Sequence, residues 1–152
     1  MRTIRPIKQT DFNQIMQIEF ESFSDPYPLS LFRLIAENFT DLFLVAVQNG
    51  ELLGYVVAEI EQQSDLRIGH LLSIAVRKDK RRMGIGDELL SSIIGVLVEK
   101  GCEEVYLEVR VSNDGAKAFY RKQGFKKFWR TRKYYNDGED ALVMRLPLED
   151  RQ

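Results

Sequence analysis

The sequence is poor in the residues that build disulfides and metal centres. Its 152 residues include one cysteine, Cys102, and one histidine, His70. A single cysteine cannot form an internal disulfide, and one histidine cannot supply a site with several histidine ligands. We therefore predict no metal site, and we expect Cys102 to be a structural thiol rather than a nucleophile.

Proline and long apolar runs are also scarce. The chain has 4 prolines, 44% hydrophobic and 30% charged residues, a composition that excludes disordered and collagen-like proteins. Apolar stretches such as Leu42–Val47 fall far short of the ~20 residues that a membrane-spanning helix needs, and Met1–Pro6 contains no apolar segment of a signal peptide. We expect one domain over residues 1–152, located in the cytoplasm and without a membrane partner.

The net charge of −1 argues against a protein that binds nucleic acid or anionic membrane through bulk charge, so no specific nucleic-acid partner is expected. The charge is nevertheless uneven. Residues 1–69 carry 5 basic and 10 acidic side chains, whereas residues 70–152 carry 17 and 13. Two basic stretches account for this: residues 77–82, and residues 115–136 with eight Lys or Arg and no acid. The second is typical of a solvated face.

The spacing of apolar residues predicts a mixed α+β fold with helices packed on a sheet. Strands are predicted at 3–6, 42–47, 52–61, 68–76, 105–109, 125–129 and 141–146. A first helix is predicted after a Thr10 cap, and a second from Ser30 with Leu31, Leu34 and Ile35 inward. A third is predicted at 84–100, with Ile85, Leu89, Ile93 and Leu97 inward. A fourth is predicted at 114–123, after an Asn113 cap. Asn49-Gly50 predicts a hairpin that opens an antiparallel meander, and a strand-helix-strand crossover follows it.

A glycine motif lies between a predicted strand and the long helix, in the segment Val76-Arg-Lys-Asp-Lys-Arg-Arg-Met-Gly-Ile-Gly86. Gly84 and Gly86 let the backbone approach a ligand, and the first N–H groups of a helix have no internal partner. With Arg81 and Arg82 beside them, these groups predict an anion cradle that suits a pyrophosphate. The glycines could instead relieve crowding between helix and sheet. The segment is neither a Walker A loop nor a dinucleotide-binding Gly-x-Gly-x-x-Gly motif.

The segment Arg81–Gly86 matches the Gln/Arg-x-x-Gly-x-Gly signature of the GNAT acetyltransferases. Four further segments resemble the RimI-type protein N-terminal acetyltransferases, particularly the archaeal NatA-like catalytic subunits. They are LSIAV at 72–76, YLEVRVSN at 106–113, AFYRKQGF at 118–125 and YYNDGED at 134–140. The resemblance covers most of the chain from about Gly54 onward. It implies the GNAT fold, a mixed and mostly antiparallel sheet with helices on both faces, and direct acetyl transfer from acetyl-CoA to the α-amino group of proteins.

The resemblance implies that acetyl-CoA lies along the glycine motif and the strand before it. Backbone N–H groups of residues 82–86 would hold the pyrophosphate, and residues 74–76 would pair with the pantetheine arm. Asp87 departs from the family, where this residue is commonly basic or a small hydroxyl, so we expect it to weaken the affinity for the diphosphate. The expected cofactor-binding residues are Ile74, Ala75, Val76, Arg81, Arg82, Met83, Gly84, Ile85, Gly86, Asp87 and Asn113.

Three residues are candidates for catalysis. Strand alternation places Glu108 opposite the apolar residues of its strand, so it can accept a proton if its face lines a cleft; otherwise it is an exposed carboxylate. The resemblance assigns Glu108 the role of base and Tyr120 that of general acid. Tyr120 could also be a core aromatic, although Phe119 is the better core candidate. By the same resemblance His70 holds a catalytic water with the glutamate, whereas a lone histidine is otherwise often structural.

The substrate end is expected at two loops. Tyr134 and Tyr135 precede a turn and would flank the peptide entry. Asp25 lies where some NatA-like proteins have a glutamate that shapes the substrate end, and Tyr27 and Leu29 belong to the same loop.

The expected partners are a protein N-terminus as substrate, the ribosome or ribosomal proteins, and a second copy in a homodimer. The alternatives are an acetyltransferase of small-molecule amines on the same fold and a non-catalytic CoA-binding module. The joint presence of Glu108 and Tyr120 argues against the second alternative.

Overall fold

One seven-stranded sheet organises the protein, whose computed structural model describes residues 1–148. The strands are β1 Thr3–Pro6, β2 Phe43–Gln48, β3 Glu51–Gln63, β4 Leu66–Val76, β5 Glu104–Arg110, β6 Lys126–Thr131 and β7 Ala141–Pro147. The helices are α1 Phe12–Ser22, α2 Leu29–Asn38, α3 Ile85–Glu99 and α4 Asp114–Lys122. None of these helices is long and apolar enough to cross a membrane. The predicted mixed α+β architecture is confirmed.

The strands follow the order β1-β2-β3-β4-β5-β7-β6. Every neighbouring pair is antiparallel except β4 and β5, which are parallel and joined through α3. Both topological predictions are therefore confirmed, the meander from β2 to β4 and the crossover through α3. Parallel strands require such a crossover, because a short turn cannot return the chain to the same end of the sheet.

The sheet opens between β4 and β5. These strands pair only where Ile68–His70 meet Glu104–Tyr106. Beyond this point β4 continues to Val76 against β3, and β5 continues to Arg110 against β7. The register of β3 and β4 also shifts at Leu72, because Val57 opposes Ser73 whereas Ala58 opposes Leu71. Such a bulge bends a strand, and the diverging strands leave a cleft in the middle of the sheet.

Helices α1 and α3 pack on opposite faces of the sheet. On one face, Glu19 of α1 accepts a hydrogen bond from Ser73 of β4 at 2.8 Å. On the other face, a Cβ at Gly69 would lie 2.8 Å from the side chain of Leu97, so only glycine lets α3 approach β4 this closely. The predicted apolar stripe of α3, Ile85, Leu89, Ile93 and Leu97, is buried as expected.

Two local predictions in the N-terminal third are wrong. Thr10 does not cap the first helix, since it lies inside a 3₁₀ turn at Gln9–Asp11 and α1 begins at Phe12. Leu34 is 56% exposed rather than inward. The buried positions of α2 are Phe32, Ile35 and Ala36, which follow the i, i+3, i+4 pattern, and Leu34 lies on the opposite side of the helix.

Candidate active site

Three adjoining cavities follow the cleft between β4 and β5. The loop cavity, about 550 Å³, is lined by the glycine motif, the end of β4 and α4. The central cavity, about 400 Å³, lies between the two diverging strands. The outer cavity, about 270 Å³, is lined by the loop after α1 and the loop before β7. The central cavity shares Asn113 and Tyr120 with the loop cavity, and Glu108 and Tyr135 with the outer one, so the three adjoin along the cleft, and we refer to them together as the channel.

The loop cavity has the backbone geometry of an anion site. Gly84 caps α3 with φ of 80°, a left-handed conformation that favours glycine, and the preceding Arg82 also has a positive φ of 65°. The first N–H groups of α3 have no partner within the helix and lie at the positive end of its dipole. A Cβ at Gly86 would lie 3.5 Å from the ring of Phe119, so the glycine keeps this wall of the cavity open.

Most residues that the resemblance gave to the cofactor line the loop cavity. They are Ile74, Ala75, Val76, Arg81, Arg82, Gly84, Ile85, Gly86, Asp87 and Asn113. Met83 is not among its lining residues; its side chain is 56% exposed, and its carbonyl accepts a hydrogen bond from Arg2 at 2.8 Å. Asn113 also caps α4, since its Oδ1 accepts from the N–H of Ala116 at 3.1 Å. The predicted cap is therefore confirmed.

Two charged side chains of the loop cavity already have partners. Arg81 donates from Nε to the carbonyl of Val76 at 3.1 Å, which holds its guanidinium beside the end of β4. Asp87 accepts a hydrogen bond from the amide of Gln123, the residue that follows α4 as its C-cap. The carboxylate that departs from the family's pattern is thus directed toward α4.

Glu108 and His70 form a close pair at the base of the central cavity. The distance from His70 Nε2 to Glu108 Oε1 is 2.7 Å, and both side chains are largely buried. Glu108 lines the central and outer cavities, whereas His70 is not among the lining residues of either one. Val105, Leu107 and Val109 are buried on the opposite face, as the alternation predicts. The carboxylate therefore meets the cleft, with the imidazole behind it.

The other ring nitrogen of His70 also meets carboxylates. Nδ1 lies 3.3 Å from Glu59 Oε1 and 3.5 Å from Glu61 Oε2, both on β3. The ring stacks on Tyr106 with centroids 4.3 Å apart, and the Tyr106 hydroxyl donates to Glu61 at 2.6 Å. Burial lowers the pKa of His70, but its hydrogen bond with Glu108 and the charges of the other carboxylates outweigh this and leave the pKa raised.

Tyr120 lies where the loop and central cavities meet. Its ring packs edge-to-face on Phe119 at 5.3 Å and Phe125 at 5.7 Å between centroids. Burial, with a smaller contribution from Tyr135, raises the pKa of the Tyr120 hydroxyl. The hydroxyl therefore stays protonated at neutral pH and is a proton donor rather than a base. Phe119 lines the loop cavity too, so it is not purely a core residue.

Tyr134 and Tyr135 line the outer cavity in a T-shaped pair with centroids 5.0 Å apart. Arg110 lies over the Tyr135 ring, 4.0 Å from its centroid. The same guanidinium contacts Asp25 at 3.1 Å and Glu139 at 2.9 Å. One cation thus connects the loop after α1, the end of β5 and the loop before β7.

The other two substrate candidates differ in position. Tyr27 lines the outer cavity, and its backbone N–H donates to the carboxylate of Glu19 at 2.9 Å. Leu29 begins α2, is half-exposed, and is not among the residues that line the outer cavity.

Sequence reasoning missed four residues that shape this site. Arg110 lies in the segment 106–113, but the sequence alone predicted no role for it. Glu59 and Glu61 alternate on β3, where two acids two residues apart indicate only an exposed strand face. Glu19 is 1% exposed and accepts from Tyr55, Ser73 and the Tyr27 backbone. Its position on the inner face of an amphipathic helix was the available signal for a buried carboxylate.

Comparisons with known proteins agree with this geometry. The profile of the acetyltransferase (GNAT) family matches residues 12–125. The chain is 40% identical to an N-alpha-acetyltransferase of Sulfurisphaera tokodaii, over 95% of this chain and 92% of the relative. Among solved structures, Ard1 from Thermoplasma volcanium superposes with a TM-score of 0.88 at 29% identity, covering 96% of this chain and 97% of that one.

The ribosomal-protein-S18-alanine N-acetyltransferase from Escherichia coli superposes with a TM-score of 0.81 at 33% identity, covering 97% of this chain and 94% of that chain. The family profile includes the glycine motif and Glu108, whereas Tyr134 and Tyr135 of the outer cavity lie beyond its last residue. The chain therefore belongs to the acetyltransferase (GNAT) family.

Proposed function

We propose that this protein transfers an acetyl group from acetyl-CoA to the N-terminal α-amino group of proteins. The observation that carries the proposal is the shared position of Glu108, which lines the junction between the central and outer cavities. An anion cradle opens at one end of the channel and a tyrosine-lined mouth at the other. Two substrates can therefore enter from opposite ends and meet beside one carboxylate. The relatives named N-alpha-acetyltransferase support this acceptor.

The loop cavity suits acetyl-CoA. Gly84 in a left-handed conformation and the open wall at Gly86 give a diphosphate access to the N–H groups of α3. The free edge of β4 at residues 74–76, where β5 has diverged, offers backbone groups to an extended amide-containing arm. When bound there, acetyl-CoA supplies an acetyl group already activated as a thioester.

The side chains of the central cavity would divide the proton transfers. Glu108 takes a proton from the incoming amine, directly or through water, because the nucleophile must be neutral. Tyr120 lies on the side of the loop cavity and can donate its proton to the leaving sulfur. His70 occupies Glu108 Oε1, which leaves Oε2 for the amine.

The basicity of amines favours an N-terminus over lysine as the acceptor. An α-amino group has a pKa near ~7.7 to 8.0 and a lysine near ~10.4, so at pH 7 roughly a tenth of the former is neutral, against well under a thousandth of the latter. One glutamate suffices to neutralise the first. We expect a broad choice of first residue, including Ser, Ala and Met, with Tyr134, Tyr135 and the loop around Asp25 holding the first residues.

The test uses peptides that carry both a free N-terminus and an internal lysine, with matched peptides blocked at the N-terminus. Purified protein and acetyl-CoA are added, and acetylated positions are mapped by mass spectrometry. We expect labelling at the N-terminus only. Predominant labelling of lysine would overturn the proposal, and rapid labelling of spermidine with none of the peptides would replace it with the small-amine alternative. Tight CoA binding without turnover on any amine would support the non-catalytic module.

Ribosome association is a second part of the proposal, supported by the surface of β6. This edge strand and the segment after it carry Lys126, Lys127, Arg130, Arg132 and Lys133. Two large aromatic residues between these cations are exposed, Phe128 and Trp129. Cations attract RNA phosphates without reading sequence, and exposed rings can stack on unpaired bases.

Sedimentation with ribosomes tests this surface. We expect co-sedimentation that weakens with rising salt and is lost in Lys126→Glu/Lys127→Glu, but not in the control Lys8→Glu/Lys78→Glu, which makes the same charge change elsewhere. Equal binding by both variants would contradict the assignment. The homodimer and the cytoplasmic location also stay predictions, to be tested by analytical ultracentrifugation and by fractionation of cells.

A further inference from the structure

Carboxylates flank the imidazole of His70 on both sides. Nε2 lies 2.7 Å from Glu108 Oε1, and Nδ1 lies 3.3 Å from Glu59 Oε1. Glu61 Oε2 is close to Nδ1 as well, at 3.5 Å. An ionised carboxylate can only accept hydrogen bonds. Both contacts are therefore hydrogen bonds at the same time only if both ring nitrogens carry a proton, which defines the imidazolium.

The neighbouring residues hold the ring in this orientation. Tyr106 stacks on it with an angle of 6° between the ring planes, and the Tyr106 hydroxyl donates to Glu61. Arg145 of β7, which lies opposite Tyr106, is directed to Glu104 and the Phe128 ring instead. Among residues 1–148, the charged groups that contact the imidazole are thus the three glutamates, two from β3 and one from β5.

We propose that Glu59 and Glu61 are positioning residues that hold His70 as an imidazolium, so that its Nε2–H stays fixed on Glu108 Oε1. Glu108 then keeps its second oxygen toward the cleft and the incoming amine. A neutral imidazole has two tautomers, and the one with the proton on Nδ1 turns an acceptor toward Glu108. That tautomer pairs with a protonated Glu108, which is no longer a base. Glu59 and Glu61 favour the productive arrangement without touching either substrate.

One side-chain oxygen or nitrogen atom from each of Glu59, Glu61 and His70 lies within 4.8 Å of the other two, a spacing that would also suit a cation. In this structure these atoms hydrogen-bond to one another or to Tyr106. These hydrogen bonds, with a proton on each ring nitrogen of His70, explain the close spacing of the three side chains without a cation. The raised pKa of His70 agrees with this arrangement.

The chain's single histidine makes the charge state directly measurable, because the imidazole NMR spectrum contains one residue. Long-range ¹H–¹⁵N spectra of the substrate-free protein, recorded against pH, give the titration midpoint and the tautomer. We expect a midpoint above the ordinary value of about 6.5. In Glu59→Gln/Glu61→Gln the midpoint should fall by about one pH unit or more, because two nearby charges are removed.

Activity of the same double variant tests the positioning role, and this arm rests on the proposed function. We expect KM for peptide and acetyl-CoA to stay within twofold, and kcat to fall by roughly threefold or more at pH values between the two midpoints. Far below the midpoint of the variant, His70 is an imidazolium in both proteins, so the ratio of the two kcat values should approach one there. Far above the wild-type midpoint the ring is neutral in both proteins, so the loss of kcat seen between the midpoints should disappear. A merely structural defect would lower kcat at every pH.

Glu51→Gln is the control, since Glu51 is on the same strand, is about as exposed as Glu59, and binds Arg77 instead. This variant should leave the titration midpoint of His70 unchanged, and its kcat should equal that of the wild type at every pH. An ordinary midpoint in the wild type, or one that the double variant does not move, would overturn the imidazolium. A shifted midpoint with a pH-independent ratio would overturn the positioning role. If no peptide is acetylated at all, the proposed function fails while the NMR result still decides the state of His70.

Discussion

Arg110 of β5 and Asp25 of the loop after α1 form an ion pair of 3.1 Å between residues 85 positions apart. Asp25 also accepts from the backbone N–H of Asn136 at 3.1 Å and from its side-chain amide at 3.0 Å. One carboxylate therefore ties the two loops of the outer cavity to each other, and Arg110 ties them to the sheet. The mouth of the channel is built around this pair.

Arg110→Gln should weaken peptide binding. The variant removes the charge that joins Asp25, Glu139 and the Tyr135 ring, so the loops lose their common anchor. Hydrogen bonds to charged groups contribute about 1.5 to 3 kcal/mol each, so we expect KM for peptide to rise on the order of tenfold, or ~1.4 kcal/mol. Acetyl-CoA affinity should not change. Steady-state kinetics and calorimetry measure both quantities, with Arg145→Gln on β7 as the control. An unchanged KM would contradict this role.

The sequence predicted the channel's acetyl-CoA end better than its peptide end. Periodicity and glycine placement predict α3 and the preceding strand, because these features depend on residues close together in the chain. The alternation of Val105, Leu107 and Val109 likewise predicts that Glu108 faces away from the core. All of these were correct in the structure.

The peptide end depends on contacts that no local pattern encodes. Asp25 and Asn136 meet only because β5 and β7 place their loops together, and Glu19 acquires its partners only after α1 packs on β4. The shift of register at Leu72 is a property of a strand pair rather than of one strand. Thr10 shows the same limit on a small scale, since Asp11 stands at the N-cap position of α1 and its side chain binds Arg5 and the Lys8 N–H rather than the helix.

Gly86→Glu should abolish acetyl-CoA binding while the protein stays folded. A Cβ at Gly86 has ordinary contact distances to Phe119, so the backbone tolerates it, and an acid in the first turn of a helix is favourable. The new carboxylate would occupy and repel the diphosphate site. We expect affinity to fall roughly a hundredfold or more, or ~2.7 kcal/mol. Gly86→Ala is the matched control, because it adds the Cβ without the charge. Calorimetry with CoA showing wild-type affinity for a folded Gly86→Glu protein would refute the cradle.

The ion pair of Asp11 with Arg5 should make the free energy of unfolding fall as the pH is lowered into the acid range. Asp11 accepts from Arg5 at 2.8 Å and from the Lys8 backbone N–H at 2.7 Å, and although burial raises its pKa, these donors lower it overall. The stabilisation is therefore present above the unfolded-state pKa near ~3.9 and lost as pH falls through the lower folded value. Asp11→Asn should cost about 1 to 3 kcal/mol at pH 7, and less at pH 3. Urea unfolding at both pH values measures this loss of stability. The control is Asp41, which forms a more exposed ion pair with Lys100. Asp41→Asn should cost under ~1 kcal/mol.

Glu108→Gln should lower kcat by about 10² or more at neutral pH, the usual size of a general-base contribution. The amide keeps an oxygen that accepts from His70, so packing and acetyl-CoA affinity should be unchanged. The low-pH limb of the rate profile reports protonation of the base, and it should disappear in the variant. Glu104→Gln, at the other end of β5, is the control. A profile that keeps its limb in Glu108→Gln would mean that another group removes the proton.

Tyr120→Phe should be the milder change. Phenylalanine retains the edge-to-face packing on Phe119 and Phe125, so only the proton donor is lost. A thiol with a pKa near ~8.5 is a tolerable leaving group even without protonation, whereas a protonated amine cannot attack at all. Removing the base therefore blocks an obligatory step, and removing the acid slows one that has an alternative. Kinetics of both variants at one saturating peptide concentration decide the order, and a larger loss of kcat in Tyr120→Phe would reverse the assignment of roles.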